Sequence, residues 1–181
     1  LNKFDNDGDK TTGPLRTGYT VYDWNGVGYV QSVTQLDPPR FRIQVIQEAD
    51  TAFAAQHMDD AISLYNLSLG STSLTNWYND DTETLKAYAL YRLMLAYAFT
   101  ESDQRLPTQQ TIQQTYPDLA SAPPYAQMAL DFWSAEQITN NLHSACLKAQ
   151  EDILTRPDAL NLLNRYGSRS PTYTATDLCP F

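Results

Sequence analysis

Three aspartates alternate with other residues near the start of the chain, at Asp5, Asp7 and Asp9. Carboxylate oxygens are the ligands that Ca²⁺ prefers, and calcium loops present them in this alternating way. The EF-hand frame does not fit, because counting from Asp5 places Lys10 at the glycine position and Arg16 at the terminal glutamate position. The sequence therefore predicts either a looser calcium-binding loop or a solvated acidic turn.

The two cysteines, Cys146 and Cys179, offer a second kind of chemistry. Their spacing fits no metal-binding motif. Cys146 lies on a predicted helix and Cys179 in a predicted irregular tail, so we predict a disulfide that holds the tail against the helix. Two unpaired thiols are the alternative.

Residues typical of catalysis do not form a recognisable set. His57 and His143 fall at corresponding positions between predicted helices, and the carboxylate or cysteine partners that a metal-binding or general-base role needs cannot be assigned to them, so we expect polar residues at helix ends. The chain has no Gly-x-Ser-x-Gly nucleophile elbow, and its 7 glycines are too scattered for a phosphate-binding loop. We therefore expect a non-catalytic protein without a cofactor, apart from the calcium considered above.

Aromatic side chains in or beside predicted loops are the remaining candidates for binding. They provide large contact areas for protein partners, and they also stack on sugars. The predicted ligand- or partner-binding residues are Tyr22, Trp24, Tyr29, Trp77, Tyr78 and Tyr125. The alternative is that these side chains fill the core and the junction between substructures.

Composition limits the classes of protein to which the chain can belong. It has 181 residues, 42% of them hydrophobic and 18% charged, which is typical of one folded domain with at most a small appendage. The net charge of −9 argues against nucleic acid and anionic lipid as partners. No apolar run is long enough for a transmembrane segment.

The same composition suggests a location. Lysines are few, Tyr, Thr, Gln and Asn are common, and the balance is acidic, which favours a protein secreted by bacteria or displayed on their surface. The sequence shows no signal-peptide pattern, and Leu1 in place of Met leads us to expect a processed or trimmed chain.

The binding candidates near the start of the chain need a β-hairpin to position them. Two runs rich in Tyr, Val and Thr flank Asn25-Gly26, the strongest signal for a two-residue turn. Such a turn predicts the pairs Trp24–Val27, Tyr22–Tyr29 and Val21–Val30. A lone hairpin is marginal in water, so it must pack on helices, on a partner chain or on further strands. We assign residues 1–37 to a polar loop and β-hairpin appendage, and residues 38–181 to a helical domain with a C-terminal tail.

The helical domain is organised around residues 42–69. Apolar residues recur there at three- and four-residue spacing, which predicts two helices joined by a turn near Gln56 to Asp59. Further helices are predicted from Thr82, from Pro107, from Pro124 and from Asn141, and the first of these is apolar nearly all round, so we expect it to be the most buried. A short capping helix after Pro157 and an irregular tail complete the chain.

The second helix of this pair resembles that of a tetratricopeptide (TPR) repeat. The resemblance is carried by Ala61, Tyr65 and Ser68, with Ala49 at the small position of the first helix. The family's Trp, Tyr and Pro positions hold other residues here, and an ordinary amphipathic helical hairpin is the alternative. The resemblance implies a mainly α fold: an N-terminal β-hairpin, TPR-like antiparallel helix pairs forming an α-solenoid fragment, a capping helix and an irregular tail.

The stretch Tyr-Asp-Trp-Asn-Gly-x-x-Tyr resembles strand edges of secreted bacterial β-propeller repeats. The whole chain resembles uncharacterised secreted or lipid-anchored bacterial proteins in which a β-repeat region precedes a TPR-like module. That resemblance implies a non-catalytic extracellular protein–protein interaction or scaffold module. The alternatives are a structural subunit of a homomeric assembly with hairpin-mediated contacts, and a glycan-binding protein that uses exposed aromatics.

Overall fold

The computed structural model describes all 181 residues and is mainly α-helical, as predicted. The strands are β1 (Asn2–Phe4), β2 (Gly8–Asp9), β3 (Gly13–Pro14), β4 (Gly18–Trp24) and β5 (Tyr29–Leu36). The helices are α1 (Arg42–Ala54), α2 (Met58–Gly70), α3 (Asp81–Phe99), α4 (Arg105–Thr115), α5 (Pro124–Thr139), α6 (Leu142–Thr155), α7 (Asp158–Asn164) and α8 (Ala175–Leu178).

Helix α3 is the centre of the helical domain. It is apolar on nearly all sides, and it packs against α1, α2, α4 and α5. A helix that is hydrophobic all round needs neighbours on every face. The prediction that this is the most buried helix is confirmed.

Helices α1 and α2 form the predicted hairpin. Gln56, with φ of 61°, takes the left-handed conformation that ends α1 and turns the chain. Ala49, Ala61 and Tyr65 are fully buried in the pair. A second helical hairpin joins α5 to α6, where Asn140 is left-handed and the side chain of Asn141 caps α6.

The β-hairpin is confirmed, but its predicted register is wrong. Trp24 lies opposite Tyr29, and Tyr22 lies opposite Gln31. The reason is the turn: Asn25 donates its N–H to Gly28 O, and its Oδ1 accepts the N–H groups of Val27 and Gly28. The side chain of Asn25 thereby closes a four-residue loop in place of a two-residue turn.

The three-stranded antiparallel sheet has the order β1-β4-β5. Its register shifts between Val21 and Tyr22, because Ser32 is an extra residue in β5 and Val21 lies opposite Val33. Strand β1 pairs with β4 only from Gly18 to Thr20. The half of the hairpin that carries the turn therefore extends beyond β1 as a two-stranded ribbon.

The base of the hairpin is anchored to the helical domain by residues 7–16. The buried side chain of Gln44 donates to the carbonyls of Pro14 and Leu15. Gly13 lies so close to the chain beyond α7 that an added Cβ would meet Tyr166 O at 1.7 Å, which only glycine permits. These contacts join the two predicted segments, and the division at residue 37 stays a prediction.

The C-terminal tail is held on the helices as predicted. Cys146 of α6 and Cys179 of the tail form a disulfide. Polar side chains of the helices also bind tail carbonyls, among them Gln150 Nε2 to Cys179 O at 2.8 Å. No helix is both long enough and apolar enough to cross a membrane.

Candidate functional site

The tip of the hairpin brings together three of the predicted binding residues. Tyr22, Trp24 and Tyr29 are 40%, 60% and 75% exposed. Because Trp24 lies opposite Tyr29 and alternate residues of a strand share a face, all three side chains lie on one face of the ribbon. Trp24 and Tyr29 meet edge to face with ring centroids 5.3 Å apart.

The opposite face of the ribbon is aliphatic. Val30 and Val33 of β5 are each about half exposed, at 45% and 51%, and they lie across from Asp23 and Val21. These valines are not among the residues predicted to bind a partner, all of which are aromatic. They share a face although they are three residues apart, because Ser32 is an extra residue between them.

Strand β5 also has an unpaired edge. It pairs with β4 on one side, it has no strand on the other, and all eight of its residues are exposed. Asp37 donates its N–H to Thr17 O, so hydrogen-bonded pairs alternate from there along the ribbon. Thr34, opposite Thr20, belongs to a non-hydrogen-bonded pair, and its N–H therefore points away from the sheet.

Trp77 and Tyr78 lie elsewhere, in the loop before α3, and both are half-buried. Trp77 packs edge-on against Phe41 with ring centroids 4.9 Å apart. Tyr78 contacts the ring of Tyr166, lies under the guanidinium of Arg165 and donates its hydroxyl to Arg165 O at 2.9 Å. Trp77 thus holds the loop against the start of α1, and Tyr78 holds it against the chain that follows α7.

Tyr125 is not part of any surface, and its assignment as a binding residue is wrong. Its side chain is fully buried, and its hydroxyl donates to Ala159 O. It packs against Tyr88 of α3 with ring centroids 5.0 Å apart. The residue begins a helix that covers α3, so tertiary packing buries a position that follows a loop in sequence.

The three predicted calcium ligands have separate partners. Asp9 Oδ1 accepts the N–H groups of Thr11 and Thr12, and the hydrogen bonds from Thr12 and Thr11 lower the pKa of Asp9. Asp7 pairs with Arg40, and Asp5 lies 3.9 Å from Lys3 Nζ. The chain contains no group of three or more His, Cys, Asp or Glu side chains placed to hold a metal ion. The structure thus gives the calcium prediction no support, and the segment is a hydrogen-bonded acidic turn.

A buried polar network that the sequence analysis missed lies at the centre of the helical domain. Asp50 of α1 accepts hydroxyl hydrogen bonds from Tyr65 at 2.5 Å, from Tyr173 at 2.7 Å and from Tyr88 at 3.1 Å. Arg92 Nε lies 3.1 Å from Asp50 Oδ1. One carboxylate therefore joins α1, α2, α3 and the tail.

Burial is the main reason that the tyrosines of this network stay protonated. It raises the pKa of the Tyr65, Tyr88 and Tyr173 hydroxyls, and the negative charge of Asp50 raises each further. The hydroxyls therefore act as donors to Asp50. Arg92 is 2% exposed, and its guanidinium lies 4.1 Å from the centre of the Phe53 ring.

Comparison of the chain with protein-family models, with curated proteins and with solved structures finds no match. The functional assignment therefore rests on the geometry of the residues themselves.

Proposed function

We propose that the chain is a non-catalytic extracellular protein-interaction module, and that it binds a partner by adding a strand to the free edge of β5. The observation that carries the proposal is that this eight-residue strand has no strand on its outer side and that all eight of its residues are exposed. An unpaired edge offers a row of backbone donors and acceptors to another strand. The flanking apolar side chains on both faces of the ribbon would be buried by the same contact.

Strand β5 lacks the residues that usually protect an edge strand from pairing, which supports this proposal. Edge strands of proteins that must remain unpaired are usually protected by charged side chains, prolines or covering loops. The strand reads Tyr-Val-Gln-Ser-Val-Thr-Gln-Leu, with no charged residue and no proline. The bulge at Ser32 is the one protective feature, and it leaves the outward N–H of Thr34 free.

The helical domain would serve as the scaffold of this module. Its two helical hairpins, packed on α3 and followed by α7, are compatible with a TPR-like stack and a capping helix. The disulfide between Cys146 and Cys179 is compatible with an oxidising compartment outside the cytoplasm. In this proposal the module is secreted or displayed on the surface of a bacterium.

A photo-crosslinking side chain tests the proposal directly. It replaces Val33 in one variant and Leu154 in a control, since Leu154 is also apolar and is 80% exposed, but lies on α6. Each variant is illuminated in the extracellular fluid or on the surface of its source cells. The proposal predicts a discrete protein adduct at position 33 and none at position 154. Equal adducts at both positions, or no adduct at either, would contradict it.

Self-assembly is the second candidate, and one observation favours it. The same ribbon has two unpaired edges, along β5 and along Val21 to Trp24 of β4, so copies of the chain can pair in succession. Light scattering by the purified protein over a range of concentrations separates the candidates. A mass that rises with concentration would identify a second copy of the chain as the partner. A constant monomer mass would mean that the partner is a different protein.

A further inference from the structure

The loop at the tip of the ribbon contains a peptide bond that is open to solvent, the bond between Asn25 and Gly26. Asn25, Gly26 and Val27 are exposed, and a Cβ added at Gly26 would meet no atom within 4 Å. Water and dissolved base therefore reach this bond in the folded protein. Because asparagine is among the thermolabile residues, the exposed side chain of Asn25 is a candidate for chemical change.

The side-chain carbonyl of Asn25 is activated by its hydrogen bonds. Its Oδ1 accepts the N–H of Val27 at 3.0 Å and the N–H of Gly28 at 2.9 Å. Two donors on one carbonyl oxygen draw electron density from Cγ, and they stabilise the negative charge that collects on Oδ1 when a nucleophile adds to Cγ. Both bonds are made by Oδ1, which leaves the amide nitrogen Nδ2 free to depart.

The backbone nitrogen of Gly26 is the nucleophile that follows this side chain in the sequence. Its addition to Cγ closes a five-membered ring, so no second molecule has to be positioned for this step. The N–H of Gly26 donates to no acceptor in the protein. Glycine also has no Cβ beside the nitrogen, and it tolerates the φ of 96° that the loop requires. No side chain therefore obstructs the attack.

Asn6 provides an internal comparison. It is exposed, and its Oδ1 accepts the N–H of Gly8 at 2.9 Å, which is the counterpart of the bond from Val27 to Asn25. The next residue, however, is Asp7, whose side chain pairs with Arg40. Asn6 thus lacks the second donor on its carbonyl oxygen and an unobstructed backbone nitrogen beside it.

We propose that Asn25 is a site of spontaneous deamidation in the folded protein, with the backbone nitrogen of Gly26 as nucleophile and water as co-reactant. The nitrogen forms a bond to Cγ, the bond from Cγ to Nδ2 breaks, and ammonia leaves with the proton that Gly26 gives up. Water then opens the cyclic imide: its hydroxyl group adds to one imide carbon, the bond from that carbon to nitrogen breaks, and the remaining proton returns to the nitrogen. No atom is oxidised or reduced.

The two products have different effects on the ribbon. Opening at Cγ gives aspartate, whose carboxylate can accept from Val27 and Gly28 as Oδ1 does. Opening at the backbone carbonyl carbon gives isoaspartate, in which the chain runs through Cβ and Cγ and is longer by one methylene group. The acceptor that closes the loop then becomes part of the backbone, so the contact between Trp24 and Tyr29 should be lost.

Mass spectrometry of the aged protein tests the proposal. The purified protein is incubated in mildly alkaline buffer, both native and denatured in guanidinium chloride, and is then digested with trypsin. The tryptic peptide of residues 17–40 contains Asn25 as its only asparagine, and the peptide of residues 4–10 contains only Asn6. Chromatography separates the aspartate and isoaspartate forms of each peptide.

We expect Asn25 of the native protein to react within about 10-fold of its rate in the denatured chain. A reaction that required global unfolding would be at least about 1,000-fold slower in the native protein, because the unfolded fraction of a stable domain is smaller than that. In the native protein Asn25 should also react at least about 10-fold faster than Asn6, the effect of a modest difference in barrier height. Both aspartate and isoaspartate should form.

A pair of glycine variants tests the nucleophile. Gly26→Ala places a methyl group beside the attacking nitrogen and should slow deamidation of Asn25 at least about 5-fold, a small change in barrier height. Because the effect should also appear in the denatured chain, strain at the φ of 96° cannot account for it. Gly28→Ala is the matched control in the same loop. A Cβ at Gly28 also meets no atom within 4 Å, and in the denatured chain this variant should react at the wild-type rate.

The effect on the loop is tested by NMR of the products. Each product has one more negative charge than the parent chain, whose net charge is −9, so anion exchange separates them from the unmodified protein. The cross-peaks between the rings of Trp24 and Tyr29 should persist in the variant Asn25→Asp and disappear in the isoaspartate form.

The proposal is overturned if native Asn25 reacts more than about 10-fold more slowly than in the denatured chain, since the folded loop would then protect it. It is also overturned if Asn6 reacts as fast as Asn25 in the native protein, or if aspartate forms without isoaspartate. The reaction needs no partner strand, so each of these outcomes leaves the proposed strand addition at β5 unaffected.

Discussion

The hairpin ribbon and the Asp50 network show opposite ways of using polar and apolar groups. In the network, one carboxylate and one guanidinium are buried, and tyrosine hydroxyls satisfy the carboxylate. In the ribbon, apolar side chains and backbone hydrogen-bonding groups are left in solvent. The network stabilises this chain alone, whereas the ribbon has unsatisfied contacts that another strand can complete. The comparison predicts that substitutions in the network affect folding and that substitutions in the ribbon affect association.

The largest expected effect comes from Asp50→Ala. The substitution leaves Arg92 as an uncompensated buried charge and removes the acceptor of three hydroxyls. Breaking a buried pair in this way costs about 3–5 kcal/mol of unfolding free energy. Urea denaturation measures the loss, with Asp103→Ala at an exposed position as the control. A loss below about 1 kcal/mol would show that the network does not organise the domain.

Removal of the disulfide should come next. Cys146→Ser combined with Cys179→Ser opens a loop with a sequence separation of 33 residues. The chain-entropy estimate for a loop of this length is a loss of about 3–4 kcal/mol. Thermal unfolding of the double variant and of the reduced wild-type protein should give matching decreases in Tm. A double variant as stable as the oxidised protein would mean that the other tail contacts suffice.

A pH-dependent effect of intermediate size is expected at Asp152, which lies outside both regions. Burial, together with hydrogen bonding and repulsion from Asp131, raises the pKa of Asp152 to about 6 from the ordinary 3.8. A carboxyl group with a raised pKa in the folded state favours folding at low pH, and that contribution is lost as the pH rises towards 6.

Asp152→Asn removes this cost of ionisation. The variant should therefore be more stable than the wild type by about 1 kcal/mol near pH 7.5, a value reduced for partial solvent exposure. The gain should be smaller near pH 4.5, where the native carboxyl is protonated. Thermal unfolding at both pH values measures the difference, with Asp103→Asn as the control. An equal gain at both pH values would contradict the assigned pKa.

The smallest expected effect on stability comes from the ribbon. Trp24→Ala removes an exposed ring that contacts Tyr29, so we expect the free energy of unfolding to change by about 0.5 kcal/mol or less. The same substitution should reduce formation of the adduct at position 33 several-fold. If Trp24→Ala lowered the free energy of unfolding and left the adduct yield unchanged, the ribbon would contribute to folding and not to association, contrary to this account.

The sequence predicted the elements better than their mutual packing. The α1–α2 hairpin, the burial of α3 and the disulfide follow from apolar periodicity and from where the cysteines lie. The hairpin register could not be predicted, because a four-residue loop depends on one side chain, Asn25, binding the backbone of Gly28. The burial of Tyr125 likewise depends on how α5 packs on α3.

The candidate sites were predicted only in part. The exposed aromatics of the hairpin tip were identified because they surround a strong turn signal. The Asp50–Arg92 network was missed because the two residues are far apart in sequence. The local sequence around each one indicates only an ordinary helix. A cleft of about 430 Å³ between α1, α3 and the tail was missed for the same reason, since it forms only where the tail folds back over these helices.

The most direct test of strand addition at β5 compares two variants, Thr34→Pro and Thr34→Val. The quantity measured is the crosslinking yield at position 33. Both substitutions remove the threonine hydroxyl, but only proline removes the outward N–H that a partner strand needs. We predict that Thr34→Val retains the adduct and that Thr34→Pro lowers its yield at least about 10-fold, the effect of roughly 1.4 kcal/mol. Equal yields from the two variants, with both folded, would contradict binding by strand addition.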